Sequence, residues 1–144
     1  MRTRTLTRVA AGAILALVGA GCSDPVTPES LIGVYQATEF TITLNNARTD
    51  LLANGAEVTL ELKSGGATAG HFFLPLTPGV STSDVSDDLT GTYVVNNGIV
   101  RLTQVADSYI KDFLFTAADG QLRASQVIQS PDVVGNLRLV LTRQ

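Results

Sequence analysis

The chain has one cysteine, one histidine and no tryptophan among its 144 residues. A lone cysteine excludes an intrachain disulfide, and a lone histidine, His71, excludes a metal site built on several imidazoles. No serine lies in a nucleophile-elbow motif, and a serine nucleophile would have only His71 as its base. We therefore expect no catalytic site, no metal site, no cofactor and no enzymatic activity.

Basic residues are few and unevenly placed. Three of the 10 basic residues precede residue 9, whereas all 13 acidic residues follow residue 22. Residues 22–144 are therefore more acidic than the whole chain, whose formal net charge is −3. A net acidic domain has no electrostatic reason to bind nucleic acid or an anionic membrane surface, so we expect no nucleic-acid partner.

The N-terminus has the pattern of an export signal. Three arginines precede an apolar run at residues 9–21, and this run is too short to span a bilayer. The arginines are Arg2, Arg4 and Arg8. The pattern predicts a signal peptide over residues 1–21, cleaved before Cys22.

The residues Val18-Gly19-Ala20-Gly21-Cys22 resemble a bacterial lipobox. The resemblance implies a lipoprotein in which Cys22 carries acyl chains such as palmitate, which hold the protein on a membrane. Ser23 resembles an outer-membrane address, with the domain facing the periplasm. Asp24 keeps the inner membrane open as an alternative, and the cell surface is another. An ordinary secretory signal with an incidental cysteine is the competing interpretation.

Residues 22–30 are predicted to comprise the lipidated cysteine and a flexible tether. Pro25 and Pro28 lie in this segment, which has no apolar periodicity. Both features favour an extended, polyproline-like backbone, with a reach of roughly 20–25 Å.

Residues 31–144 have the pattern of one all-β domain. Alternation of apolar and polar residues is cleanest at residues 56–63, and no segment suits a long helix. The predicted strands are residues 33–44, 56–63, 67–76, 89–95, 99–106, 109–117, 121–129 and 134–142. Eight strands joined by tight turns form either a closed barrel or a two-sheet sandwich. Because closure removes exposed sheet edges, we predict an antiparallel up-and-down β-barrel, with the β-sandwich as the alternative.

Local irregularities are also predicted. Tyr35 and Phe40 lie in opposite phases of the first strand, and a bulge near Thr38 or Glu39 would bury both. Residues 45–55 break the strand pattern and are predicted to contain one helical turn. Residues 77–88 are predicted to be a polar loop.

Two short motifs resemble the Gly-x-Trp signature that opens lipocalin-like barrels. They are Leu31-x-Gly33-x-Tyr35 and Leu89-x-Gly91-x-Tyr93, with tyrosine in place of tryptophan. Taken over residues 31–143, the domain is similar to small lipocalin-like lipoproteins of bacteria. The resemblance implies that Tyr35 closes one end of the barrel. It also implies that a basic side chain from the last strand, Arg138 or Arg143, packs over the ring.

The barrel interior is the candidate binding site. An eight-stranded barrel is just wide enough to be filled by its own side chains or to hold one small ligand. The candidate pocket residues are Tyr35, Phe40, Leu60, Phe73, Tyr93, Phe113 and Phe115. A filled interior favours a structural role or an interaction with another envelope protein. A hollow interior favours binding of a small apolar ligand.

Two further polar features are expected to be structural. His71 lies within a predicted strand. Asp84, Asp87 and Asp88 lack the glycine and the distal glutamate of an EF-hand loop, so we expect a solvated acidic loop there.

Overall fold

The structure is a computed structural model that describes residues 26–105, 110–130 and 133–144. The predicted signal peptide, Cys22 and the start of the predicted tether lie outside these residues. The described ranges contain ten strands: β1 (Gly33–Leu44), β2 (Ala47–Asp50), β3 (Glu57–Leu62), β4 (Ala67–Leu74), β5 (Val85–Asp88), β6 (Gly91–Asn96), β7 (Ile99–Gln104), β8 (Leu114–Ala118), β9 (Gln121–Ser130) and β10 (Val133–Arg143).

The strands form a closed antiparallel barrel with eight strand positions. Their order around the barrel is β1, β3, β4, β6, β7, β8, β9 and β10, and β10 pairs with β1 to complete the ring. Strand β2 pairs with β1 on the same edge as β3, and β5 pairs with β4 on the same edge as β6. β2 and β5 therefore add no strand position to the barrel: β2 shares the position of β3, and β5 shares the position of β6. The predicted lipocalin-like barrel is confirmed, and the two-sheet alternative is wrong.

A bulge bends β1, as predicted. Ala37 pairs with Leu141 and Glu39 pairs with Val140, which leaves Thr38 without a partner in the β10 register. The extra residue reverses the phase of the strand. Tyr35 and Phe40, on either side of the bulge, are both buried as a result.

Each interruption of a barrel strand places a leucine in the interior. Between β2 and β3, Leu51 is fully buried, and its N–H donates a hydrogen bond to the Phe40 carbonyl oxygen at 2.8 Å. Between β5 and β6, Leu89 is fully buried, and its N–H donates to the Gly70 carbonyl oxygen at 3.1 Å. Both leucines join the core cluster.

Two predicted loops need correction. The turn expected at residues 45–55 is confined to residues 51–55, because residues 47–50 pair with β1 as β2. The polar loop expected at residues 77–88 ends in β5, because its last residues pair with β4. The strand predicted at residues 109–117 begins only at Leu114.

The extended backbone predicted for residues 23–30 does not reach Ser30. Pro28 has helical dihedral angles, and Glu29–Leu31 forms a short 3₁₀ turn. Thr27 and Ser30 stabilise this turn through reciprocal side-chain hydrogen bonds of 2.8–3.3 Å. Val26 packs against the core cluster. The segment from Val26 to Leu31 is therefore docked on the barrel.

Candidate functional site

The barrel interior contains six of the seven candidate pocket residues. These side chains are between 0% and 4% exposed and belong to one core cluster. The six are Tyr35, Phe40, Leu60, Tyr93, Phe113 and Phe115. Phe73 does not join them. It is half-buried on the outward face of β4, because strand alternation turns its neighbour Phe72 inward.

Side chains fill the space around these residues. A void large enough for water would leave accessible area on its lining, yet Leu60 and Phe115 are 0% exposed. Phe40 and Phe72 meet edge to face with ring centroids 5.9 Å apart. The rings of Phe113 and Phe115 lie 6.0 Å apart. Both separations are typical of packed aromatic pairs.

The interior also offers no spare polar group to a ligand. Every buried side-chain nitrogen and oxygen in the described ranges has a hydrogen-bond partner. Thr68, for example, donates through Oγ1 to the Leu89 carbonyl oxygen at 2.8 Å. Ligand sites usually need a few polar groups that fix the orientation of the ligand.

One end of the barrel, here called the closed end, is built around Tyr35. The Tyr35 hydroxyl donates a hydrogen bond to the Leu31 carbonyl oxygen at 2.8 Å. Arg143 lies opposite Tyr35 in the β1–β10 register. Its guanidinium donates to the carbonyl oxygens of Ser30, at 3.2 Å, and Ile32. Both side chains therefore hold the 3₁₀ turn against the barrel.

The basic residue beside Tyr35 is Arg143. The other candidate, Arg138, instead forms an ion pair with Glu39 at 3.1 Å. A Cβ at Gly33 would lie 2.7 Å from Arg143 Nε, so glycine is needed for the guanidinium to approach. The glycine of the first motif thus leaves room for the arginine that pairs with Tyr35 across the strands.

The second motif reaches the same end. The Tyr93 hydroxyl lies 3.2 Å from the carbonyl oxygens of both Pro28 and Lys63 and donates to them. A Cβ at Gly91 would lie 2.1 Å from the Thr103 carbonyl oxygen, because β6 and β7 approach closely there. Each motif therefore combines a glycine that admits a close neighbour, the Arg143 side chain at Gly33 and the β7 backbone at Gly91, with a tyrosine that holds the N-terminal turn.

Burial raises the pKa of both tyrosines. For Tyr35 the main cause is desolvation, which the positive charge of Arg143 partly offsets. For Tyr93 desolvation is again the main cause, and the negative charge of Glu29 adds to it. Both hydroxyls therefore stay protonated at neutral pH and act as hydrogen-bond donors.

A small cavity of about 160 Å3 lies at the closed end. Its lining includes Val26, Tyr35, Arg143 and residues 117–121. Pockets for drug-sized ligands typically measure about 300–1,000 Å3, so this cavity is smaller than that class. Larger concavities, of about 400–530 Å3, lie on the outer surface of strands β6–β10.

The acidic residues near His71 stabilise chain turns. Asp88 lies opposite the exposed His71 and accepts hydrogen bonds from the Thr90 hydroxyl and, at 2.6 Å, from the Thr90 N–H. These bonds lower the pKa of Asp88, and the positive charge of His71 contributes. Asp84 accepts a hydrogen bond from the Leu76 N–H at 2.7 Å. In the described part of the chain, no group of three His, Cys, Asp or Glu side chains is placed to bind a metal ion.

Cys22 lies outside the described residues, so its lipidation stays a prediction. Within residues 26–105, 110–130 and 133–144, no helix is both long and apolar enough to cross a bilayer. No family model matches this sequence, and no curated protein matches it either. The barrel, its closed end and its outer surface are therefore the features that bear on function.

Proposed function

We propose that this chain is a lipid-anchored envelope protein whose filled barrel has a structural or protein-interaction role. The packed interior is the observation that carries the proposal. Leu51 and Leu89 enter the core where strands are interrupted, and the aromatic side chains pack against each other. A barrel filled in this way presents its outer surface and loops to other molecules.

The N-terminal sequence supports the anchor. An arginine-rich start and a short apolar run lead directly to Cys22, and the docked segment begins at Val26. Val26 lies four positions after Cys22, and a fully extended chain over four positions spans at most about 14 Å. Acyl chains on Cys22 would therefore keep the barrel beside the membrane. Ser23 favours the outer membrane, with the barrel facing the periplasm.

The partner in this proposal is another envelope protein, and the chain neither binds nucleic acid nor acts as an enzyme. Its only histidine, His71, is exposed beside Asp88, and no serine of the sequence lies in a nucleophile-elbow motif. The partner would bind through the outer surface or the loops, because the interior side chains are already packed against each other.

The alternative function is to carry a small apolar ligand inside the barrel. The cavity at the closed end, which has the buried residues Leu31 and Tyr35 in its lining, measures about 160 Å3. This volume is about half of the lower limit for typical ligand pockets. The alternative would therefore require the core around Leu60 and Phe115 to open.

The anchor is tested by replacing its acyl acceptor. Cys22→Ser should abolish incorporation of radiolabelled palmitate and make processing insensitive to globomycin. The protein should then move to soluble fractions or keep its signal peptide. Ser23→Ala is the matched control and should retain the palmitate label. Normal palmitate labelling and globomycin-sensitive processing in the Cys22→Ser variant would overturn the lipoprotein proposal.

A further inference from the structure

The charged residues of the barrel are segregated between its strands. Strands β1–β5 contain six acidic residues and one basic residue, Arg48. Strands β6–β10 contain no acidic residue. Their four basic residues are Arg101, Arg123, Arg138 and Arg143. The charge within strands β6–β10 is therefore positive although the chain has a net negative charge.

Exposed apolar residues lie among these arginines in two rows, here called the outer wall. The first row is Val94, Arg101 and Leu114, and the second is Asn96, Ile99, Thr116 and Arg123. Members of each row are direct cross-strand partners, so their side chains share one face of the sheet. Val94 is 61% exposed, Leu114 52% and Ile99 36%, so the outer wall is both apolar and basic.

The arginines of the outer wall are available to a partner. Arg101 makes no ion pair with any residue that the structure describes, and Arg123 donates only to the neutral Gln121, with an Nε–Oε1 distance of 2.8 Å. Concavities of about 470 and 530 Å3 flank Arg101 and share Leu114 in their lining, and Lys111 and Asp112 also line the first. An anion bound here would therefore not have to displace an acidic side chain from either arginine.

Val26, the first residue that the structure describes, lies near the outer wall. Val26 lines the small cavity together with residues 117–121, which join β8 to β9. The Ala117 N–H donates to the Gly98 carbonyl oxygen at 2.9 Å, so this hairpin lies against the β6–β7 turn. Thr116 and Ile99 of the outer wall are the immediate neighbours of these two residues. Cys22 lies four positions before Val26, so an acyl group on it would be held within about 14 Å of this end of the barrel.

We propose that the outer wall lies against the membrane surface, with its arginines on anionic phospholipid headgroups and its apolar side chains in the interfacial layer. The inference rests on the lipidation of Cys22 proposed above. Apolar side chains bordered by arginines are typical of surfaces that bind the membrane interface. One basic side chain near an anionic surface favours the bound orientation about five-fold, and two favour it about 30-fold. The expectation from net charge alone is revised for the sheet surface of β6–β10, whose strands carry arginines and no acidic residue, although Asp112 and Asp119 lie in the connecting segments.

The test uses the complete lipidated protein in vesicles of phosphatidylcholine and phosphatidylglycerol that contain doxyl-labelled lipid. With Cys22 acylated, a cysteine introduced by Thr116→Cys is the only free thiol and can carry a fluorophore. Ser86→Cys, on β5, is the matched control. We expect the lipid to quench the label at position 116 and to leave the label at position 86 unquenched. Vesicles of phosphatidylcholine alone should quench position 116 less.

Charge variants distinguish the contribution of the outer wall to membrane orientation from attachment through the lipid anchor. Arg101→Gln combined with Arg123→Gln should lower the ratio of wall-bound to free orientations about 30-fold, while the protein still sediments with the vesicles. Arg48→Gln combined with Lys63→Gln changes the net charge equally, and the quenching should persist.

Three results would overturn the inference. Vesicle-bound protein quenched equally at positions 116 and 86 would contradict the wall orientation and leave the anchor intact. Protein that fails to sediment with the vesicles would contradict the anchor, and with it this inference. In the third result, the label at position 116 escapes quenching by lipid but becomes shielded from aqueous iodide as the protein density on the vesicles rises. This result would show that the outer wall binds a second copy of the chain.

Discussion

Tyr35→Phe should destabilise the closed end while leaving the ring in place. The change removes the donor that lies 2.8 Å from the carbonyl oxygen of the buried residue Leu31. A neutral hydrogen bond contributes about 0.5–1.5 kcal/mol net, and a buried group left unpaired costs about 1–3 kcal/mol. We therefore expect a loss of about 1–2 kcal/mol in the free energy of unfolding. Tyr35→Ala also removes a buried ring and should cost about 3–5 kcal/mol.

Tyr93→Phe is the internal control. The Tyr93 hydroxyl is shared between two carbonyl oxygens, each at 3.2 Å, so each bond is longer than that of Tyr35. Its removal should cost less than about 1 kcal/mol. Urea denaturation measures all three variants, and a midpoint shift with an unchanged m-value reports the loss of stability.

Arg143→Met extends the test to the second support of the N-terminal turn. It removes two donors to the backbone of residues 30 and 32 and keeps part of the apolar stem. Because Tyr35 and Arg143 hold the same turn, a double-mutant cycle should give a coupling energy above about 0.5 kcal/mol. Strictly additive losses, or a Tyr35→Phe loss no larger than that of Tyr93→Phe, would refute this account of the closed end.

Three further predictions concern the core, a close strand approach and pH. Leu60→Ala should lower the free energy of unfolding by about 2–5 kcal/mol in a urea melt, because Leu60 is fully buried. Glu61→Ala should lower it by less than about 0.5 kcal/mol, and equal losses would contradict the phase of β3. Gly91→Ala should cost at least about 1–3 kcal/mol, since its Cβ would lie 2.1 Å from a carbonyl oxygen of β7; wild-type stability would contradict that approach. The pKa of Asp88 is lowered chiefly by its hydrogen bonds with Thr90. This contact therefore stabilises the fold at pH values above the ordinary aspartate pKa, and the stabilisation is lost as the pH falls through the lowered pKa. Carboxyl NMR titration should show an upward pKa shift in Thr90→Val, and an unchanged pKa would contradict the assignment.

The eight barrel strands could be predicted because alternation of apolar and polar residues reports directly which face of a strand is buried. The bulge in β1 could be predicted for the same reason, since Tyr35 and Phe40 lie in opposite phases. Strands β2 and β5 could not be predicted. Each has only four residues without a clear alternation, and each forms because a longer strand is already in place beside it.

The interior was harder to predict from the sequence. Phe72 and Phe73 are adjacent and both apolar, so only the pairing of Phe72 with Val58 settles which of the two faces inward. Leu51 and Leu89 fill the core from positions that the sequence pattern places outside a strand or at its edge. Their burial depends on where the barrel strands are interrupted, which is a property of the assembled sheet.

The closed end and the outer wall cannot be predicted without the strand register. Arg138 and Arg143 both belong to the last strand, and only the pairing of Tyr35 with Arg143 distinguishes them. Net charge gave no indication of the basic outer wall, because a sum over the chain does not record which strands carry the acidic residues. The register of β6 to β9 brings together apolar and basic residues that are far apart in the sequence.

The most direct test of a lipid-anchored, filled barrel is native mass spectrometry of the protein extracted from the membranes of a bacterium that processes lipoproteins. We expect the mass of residues 22–144 plus acyl groups, with no further loss of mass when the ions are activated in the gas phase. Release of an additional small apolar molecule would contradict the filled interior. The mass of an unacylated chain would contradict the anchor.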